Sequence, residues 1–108
     1  MKTVVTEMQA PSYLDADFTM ICQDDSMIRS RISAGDLVYI RTQKSVEDGE
    51  IGVILDGNTA FLGRIWTYPN CLMLRPDDPR FPSRTYSGKQ LEQVAILGRV
   101  VGFTSIIA

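Results

Sequence analysis

The stretch Ile51-Gly52-Val53-Ile54-Leu55-Asp56-Gly57-Asn58-Thr59-Ala60-Phe61-Leu62 has the pattern of two β-strands joined by a tight turn. Gly57 and Asn58 accept the positive φ angles that two-residue hairpin turns require. The flanking residues are mostly apolar or β-branched, which favours strands on both sides of the turn. The stretch therefore predicts a β-hairpin, and the rest of the chain can be interpreted from it.

Short β-rich segments separated by turn signals continue on both sides of this hairpin. Tyr68-Pro69-Asn70 predicts a second turn, and Pro76, Pro79 and Pro82 interrupt regular structure across a surface loop at 76–83. The predicted strands are 18–22, 37–41, 51–55, 59–66, 71–75 and 94–103, and the two candidate helical turns are 26–32 and 87–93. The sequence therefore predicts a mostly β domain with short helical turns.

The size and composition of the chain indicate one globular domain. It has 108 residues, of which 44% are hydrophobic and 22% charged, so a core can form without disulfides or metals. Residues 1–12 lack a sustained apolar period and are expected to be a flexible leader, followed by one domain over 13–108. No apolar run approaches the roughly 20 residues that cross a bilayer, and no secretory leader is visible. A cytoplasmic location without membrane contact is expected.

Net charge and cysteine usage exclude several kinds of site. The net charge of −2 argues against a domain that binds nucleic acid alone, because such surfaces are usually basic. Cys22 and Cys71 stand 49 positions apart, and the chain has no Cys-x-x-Cys pair and no histidine. The usual zinc and redox motifs are therefore absent, and buried thiols are favoured over a disulfide. No cofactor or metal is expected.

Asp24-Asp25-Ser26-Met27, followed by Ala34-Gly35-Asp36-Leu37-Val38, is the motif with the most chemical content. Taken alone, a serine after acidic residues is usually a turn former or a helix N-cap. Here a predicted strand precedes the serine, and the Gly35-Asp36 turn leads into the next strand. This order suggests a serine displayed for chemistry.

In this order the elements resemble the C-terminal domains of LexA-type and phage repressors, which cleave their own linker with a serine and a lysine. The resemblance continues through Asp48-Gly49-Glu50-Ile51-Gly52-Val53 and Arg64-Ile65 to the final predicted strand. It covers nearly all of the predicted ordered chain. It implies a LexA/signal-peptidase-like β domain in which Ser26 is the catalytic nucleophile and the amides of Asp25 and Ser26 form the oxyanion hole.

The resemblance places the general-base lysine of the family at the position of Gly63, within Gly63-Arg64-Ile65. Strand alternation puts position 63 on the apolar face of Phe61, where a lysine would be desolvated and its pKa lowered. The family also often has glycine where this chain has Asp24. An aspartate at this position would alter the shape of the oxyanion hole. Ser26 would then lie opposite the vacant position of Gly63, and self-cleavage is not expected.

Substitute bases are weak candidates. Lys44 lies in a predicted exposed loop, where an ordinary lysine is protonated at neutral pH, and the carboxylates of Asp24 and Asp25 are too weakly basic to activate a serine. The bond that these repressors cut, Ala-Gly or Cys-Gly, does not occur upstream of Ser26. The chain is therefore either the C-terminal part of a longer repressor or a domain that does not cut itself. The absence of the lysine at the position of Gly63 is either a natural loss or an engineered change.

Two functions remain open from the sequence. The favoured one is the oligomerisation and regulatory domain of a phage-type transcriptional repressor of the class linked to the SOS response. Such a domain pairs with itself and reaches DNA only through an N-terminal helix-turn-helix domain outside this chain. The candidate pairing surfaces are the C-terminal strand with its tail 104–108 and the Trp66-Thr67-Tyr68 turn. The alternative is a serine self-peptidase that uses Ser26 and an unrecognised base.

Overall fold

The computed structural model describes residues 5–6 and 15–105, which form one antiparallel β-sheet and two short 3₁₀ helices. The strands are β1 (Val5–Thr6), β2 (Phe18–Ile21), β3 (Leu37–Thr42), β4 (Ile51–Asp56), β5 (Thr59–Tyr68), β6 (Cys71–Arg75), β7 (Arg84–Ser87) and β8 (Val94–Thr104), and the helices are η1 (Ile28–Ser30) and η2 (Gly88–Glu92). The mostly β fold predicted from the sequence is confirmed. No helix in the described ranges is long and apolar enough to cross a membrane.

The strand order in the sheet is β1-β2-β3-β8-β4-β5-β6-β7, so the last strand lies between β3 and β4. β4 pairs with the first part of β8, as far as Arg99, and β3 pairs with the second part, from Gly98 to Thr104. Each pairing contains one register shift, which increases the local twist of the sheet. Among the described strands, residues beyond Arg99 in β8 therefore pair with β3 alone.

Both predicted tight turns are present. The β4–β5 hairpin turns through Gly57 and Asn58, and Gly57 has a φ of +60°, which explains the glycine. The second turn joins Tyr68 of β5 to Cys71 of β6. The two turns fix the register of β5, the strand that carries position 63.

Two clusters of buried apolar side chains fill the domain. The first contains side chains from β2, β3, β4, β5 and the turn after β2, and the second contains side chains from β4 to β7. β5 contributes to both, because alternate side chains of a strand face opposite sides: Ala60 belongs to the first cluster and Ile65 to the second. Met27 and Ile32 lie outside the strands but are buried in the first cluster, which fixes the turn between them.

Two strands were not predicted. Val5–Thr6, within the leader predicted over 1–12, pair with Thr19 and Met20 of β2, and the other residues of that range lie outside the described part. A two-residue strand is too short to show a period. β7 follows Pro82, and of its four residues only Tyr86 is buried, so it lacked the apolar pattern of a strand.

Both predicted helical turns form, as 3₁₀ helices shorter than expected. η1 ends at Arg31, whose φ of +69° is left-handed and stops the helix. η2 begins with a capping box in which the side chain of Gln90 accepts the Ser87 N–H at 3.0 Å.

Candidate functional site

Ser26 lies in the turn between β2 and η1, and only 9% of the residue is exposed. Met27, the next residue, is fully buried, and its sulfur accepts a hydrogen bond from the Asp77 N–H at 3.4 Å. The carbonyl oxygen of Ser26 accepts the N–H of Asp78 at 2.9 Å. The 76–83 loop therefore holds the serine turn on one side while Met27 anchors it in the core on the other.

A cavity of about 320 Å³ lies beside Ser26. One wall comes from the end of β2 and the serine turn and includes Cys22, Asp24 and Ser26. The other wall comes from β5, β6, the 76–83 loop and β7, and it includes Phe61 and Arg84. A volume of this size is typical of small ligand sites. The structure thus gives the predicted nucleophile a cavity with both polar and apolar surface.

One of the two amides expected to form the oxyanion hole already donates to a side chain. The N–H of Ser26 donates a 2.9 Å hydrogen bond to Oδ1 of Asp24, and Oδ1 of Asp25 accepts the N–H of Ala34 at 3.0 Å. Asp24 does not need the left-handed backbone of a glycine, since it is not among the described residues with positive φ. Its carboxylate instead places an acceptor on the amide that an oxyanion would require.

Side-chain and backbone atoms of β6 pack closely against Gly63. It pairs with Gly52 in regular register, and a Cβ built on it would lie 2.8 Å from Cδ1 of Leu74 and 3.2 Å from the carbonyl oxygen of Arg75. Phe61, on the same strand, and Leu74 both line the cavity, whereas Gly63 does not. The space next to position 63 is therefore filled by Leu74, which differs from the open slot predicted beside Gly63.

No wall residue of the cavity is a suitable base. The ionisable side chains on the walls are Cys22, Asp24 and Arg84. The Cys22 thiol donates to the carbonyl oxygen of Asp24 at 3.1 Å, and burial raises its pKa, so it is a neutral thiol at pH 7. Lys44 and Lys89 are exposed and are not among the wall residues, and Lys2 lies outside the described residues.

The sequence matches the model of the family described as Peptidase S24-like over residues 3–101. The chain belongs to this family. The predicted resemblance to LexA-type C-terminal domains is confirmed at this level. The mostly β sheet and the serine turn beside a cavity agree with a Peptidase S24-like domain.

Curated relatives of the S24-like domain are LexA repressors. That of Oleidesulfovibrio alaskensis is 37% identical over 79% of this chain and 40% of its own length. The repressor of Desulforamulus reducens is 36% identical over 79% of this chain and 37% of its own length, and that of Deinococcus radiodurans is 32% identical over 80% and 40%. The chain spans about two fifths of the length of these relatives.

Sequence reasoning missed how Arg64 organises the S24-like domain around the serine turn. Its Nε donates to Oδ1 of Asp77 at 2.7 Å, and its Nη1 donates to the carbonyl oxygen of Gly49 at 2.7 Å. Its Nη2 donates to Oγ of Ser30 at 3.3 Å, and the Ser30 hydroxyl also bonds Asp77. Arg64 therefore links β5 to η1 and to the 76–83 loop. The sequence signal for this arrangement was the pair Asp77-Asp78 inside the proline-rich 76–83 loop.

The pH dependence of stability should report on Asp78. Hydrogen bonds from the Arg80 side chain, then from its N–H, lower the pKa of Asp78 to about 2. A carboxyl group with a lowered folded-state pKa contributes stability that is present above its unfolded pKa and is lost as pH falls through the folded one. We expect Asp78→Asn to destabilise the domain near neutral pH and the difference from the unmodified protein to shrink between pH 4 and pH 2. Denaturant unfolding at several pH values measures it, and a constant difference would contradict this assignment.

Proposed function

We propose that this S24-like domain is the C-terminal oligomerisation and regulatory domain of a phage-type transcriptional repressor, and that it does not cleave itself. The relationship to LexA repressors supports the regulatory part. DNA would be contacted through a separate N-terminal helix-turn-helix domain, since this domain carries a net charge of −2. Such a repressor would act in the cytoplasm.

The observation that carries the absence of cleavage is the hydrogen bond between the Ser26 N–H and Asp24. Loss of one oxyanion-hole donor costs about 10²–10³ in rate, and a negative carboxylate beside that donor adds repulsion to a developing oxyanion. The missing amine at Gly63 removes the proton acceptor, a loss on the order of 10⁶ in comparable serine hydrolases. The alternative, a self-peptidase with another base, has no supporting group on the cavity walls.

Self-association is supported by the second half of β8. The described sheet leaves one edge of residues 100–104 without a neighbouring strand, because β4 reaches only Arg99. This edge borders a second cavity of about 300 Å³ with walls that include Ile51, Val101 and Phe103. Phe103 is 40% exposed. An unpaired edge with exposed apolar side chains can pair with the same edge of a second copy. The tail residues 106–108 lie outside the described residues.

Two measurements on the unmodified domain test this function. Sedimentation at increasing concentration should show a dimer or larger species, and a linker with an Ala-Gly bond fused upstream should stay intact for days, also at alkaline pH. A strict monomer at high micromolar concentration would remove the oligomerisation role. Cleavage of the linker by the unmodified domain that is abolished by Ser26→Ala would contradict the non-cleaving regulatory function and support the self-peptidase.

A further inference from the structure

We propose that the second cavity binds a small carboxylate with an apolar body, and that Arg99 holds the carboxylate group. The site is separate from Ser26, and the proposal goes beyond the proposed function. The cavity of about 300 Å³ lies beside residues 99–103 of β8. Its other walls come from the start of β4 and from η1 with the turn that follows it. Small-ligand sites begin at about this volume.

The guanidinium of Arg99 is only partly used. Its Nη1 donates to Oε2 of Glu50 at 3.1 Å. Its Nε is buried and has no hydrogen-bond partner. Within the described residues, the edge formed by Nε and Nη2 therefore carries no acceptor. The N–H groups of such an edge are parallel, which is the geometry that binds a carboxylate with two hydrogen bonds.

The unpaired Nε indicates that an acceptor can be gained here. A buried N–H without a partner is rare in native proteins, because it has lost its bonds to water without gaining others. The Arg99 side chain lines the cavity and is 32% exposed, so a small rotation of the guanidinium is enough to present Nε and Nη2 to the cavity. A carboxylate bound there would satisfy both groups.

The other polar side chains on the cavity walls are already hydrogen-bonded. The Ser30 hydroxyl bonds Asp77. Glu50 accepts the Glu47 N–H at 2.7 Å through Oε1 and accepts Arg99 through Oε2. The bond from Glu47 and then the bond from Arg99 lower the pKa of Glu50, so this carboxyl group is ionised at pH 7. Its negative charge favours a ligand with a single charge over a dianionic phosphate.

The rest of the cavity suits an apolar group. Ile32 is buried, and Ile51, Val100 and Val101 are half-buried along its walls. Phe103 adds an exposed aromatic ring. Branched and aromatic side chains of this kind remove an aryl or branched alkyl group from water. The charged and apolar walls together indicate a ligand with a carboxylate at one end and an apolar body at the other.

A charged ligand and its uncharged counterpart test the proposal. The probes are hydrocinnamate and its primary amide, titrated into the intact domain and followed by ligand-observed NMR. Val101 and Phe103 also belong to the edge proposed for self-association, so the protein is kept at low micromolar concentration to limit competition from a second copy. We expect hydrocinnamate to bind with a low millimolar dissociation constant, as is usual for a ligand of about ten heavy atoms.

The amide should bind about fivefold more weakly at about 0.15 M salt, the upper range for a partly exposed ion pair. This preference should fall at about 1 M salt, where the Debye length shortens from about 8 Å to about 3 Å. Absence of saturable binding, or equal binding of the two probes, would overturn the proposal.

Arg99→Gln should reduce the preference for hydrocinnamate to within about twofold, while Arg99→Lys should keep part of it. Arg41→Gln is the matched control, because Arg41 lies directly opposite Arg99 on β3 but pairs with Asp15 and does not line the cavity. Thermal unfolding checks that each variant is folded. A preference that survives Arg99→Gln or disappears in Arg41→Gln contradicts the assignment.

Glu50→Gln is a variant in which binding should become tighter. The amide oxygen of glutamine can still accept the Glu47 N–H, while the negative charge beside the ligand is removed. Hydrocinnamate should therefore bind about twofold more tightly and its amide should bind unchanged. Weaker binding of hydrocinnamate would contradict the placement of its carboxylate beside Arg99. Sedimentation and the linker assay do not depend on these titrations, so failure of ligand binding leaves the proposed function separately testable.

Discussion

A linker fused ahead of this domain should be cut when Asp24→Gly and Gly63→Lys are combined with a smaller side chain at position 74. Asp24→Gly frees the Ser26 N–H for an oxyanion, and Gly63→Lys supplies an amine that burial keeps neutral. Leu74→Ala is needed because Cδ1 and Cγ of Leu74 would lie 2.8 Å and 2.9 Å from the new Cβ. The rate should rise by several orders of magnitude over the unmodified domain, on the scale of about 10⁶ for a restored serine–base pair.

Gel electrophoresis of the fused linker over time measures this gain. Ser26→Ala in the triple variant is the control for the nucleophile, and Asp24→Gly with Leu74→Ala, which keeps Gly63, is the control for the base. Gly63→Ala reports the steric cost alone, expected at about 1–3 kcal/mol of lost stability from overpacking against Leu74. An intact linker in a folded triple variant would show that a lysine at position 63 does not reach Ser26.

A charge at position 103 should separate the proposed dimer. Phe103 lies on the unpaired half of β8 and is 40% exposed, so Phe103→Glu would place like charges near each other across a symmetric pairing of these edges. We expect the dimer dissociation constant to rise by about 30-fold or more, the effect of losing a central apolar anchor of about 2 kcal/mol. Analytical ultracentrifugation over a concentration series measures the change.

Tyr68→Glu is the matched control for this experiment. Tyr68 is an aromatic residue of similar exposure, 45%, and it lies at the other candidate pairing surface, the turn from β5 to β6. If the β8 edge is the interface, Tyr68→Glu should leave the dissociation constant within about twofold, as expected for a surface change away from the contact. The reverse pattern would move the interface to the Trp66-Thr67-Tyr68 turn.

The strands were predictable where an apolar run ends at a turn residue. β6 has the predicted bounds 71–75, because Asn70 precedes it and Pro76 follows it. β5 extends two residues beyond its predicted end, since Thr67 and Tyr68 are exposed but pair with β6. Local patterns thus located elements, while their ends depended on pairing with a neighbour.

The details of the candidate site depend on contacts between residues far apart in the sequence. No pattern indicated that Leu74 packs over Gly63 or that Asp78 bonds the carbonyl oxygen of Ser26. The bond from the Ser26 N–H to Asp24 is local, but the carboxylate could equally have pointed to solvent. The residue types at the site were readable from the sequence, whereas the occupied amide and the filled space at position 63 required the three-dimensional arrangement.

The position of β8 between β3 and β4 also has a consequence for how the domain is made. β3 and β4 are consecutive in the chain, yet β8 separates them, so the described sheet becomes continuous only when the final strand inserts. Contacts between distant parts of the chain slow folding, typically to milliseconds or seconds for such β topologies. During synthesis, β3 and β4 therefore each keep an unpaired edge until Val94–Thr104 has left the ribosome. Chains released before that point would expose both edges, which favours aggregation.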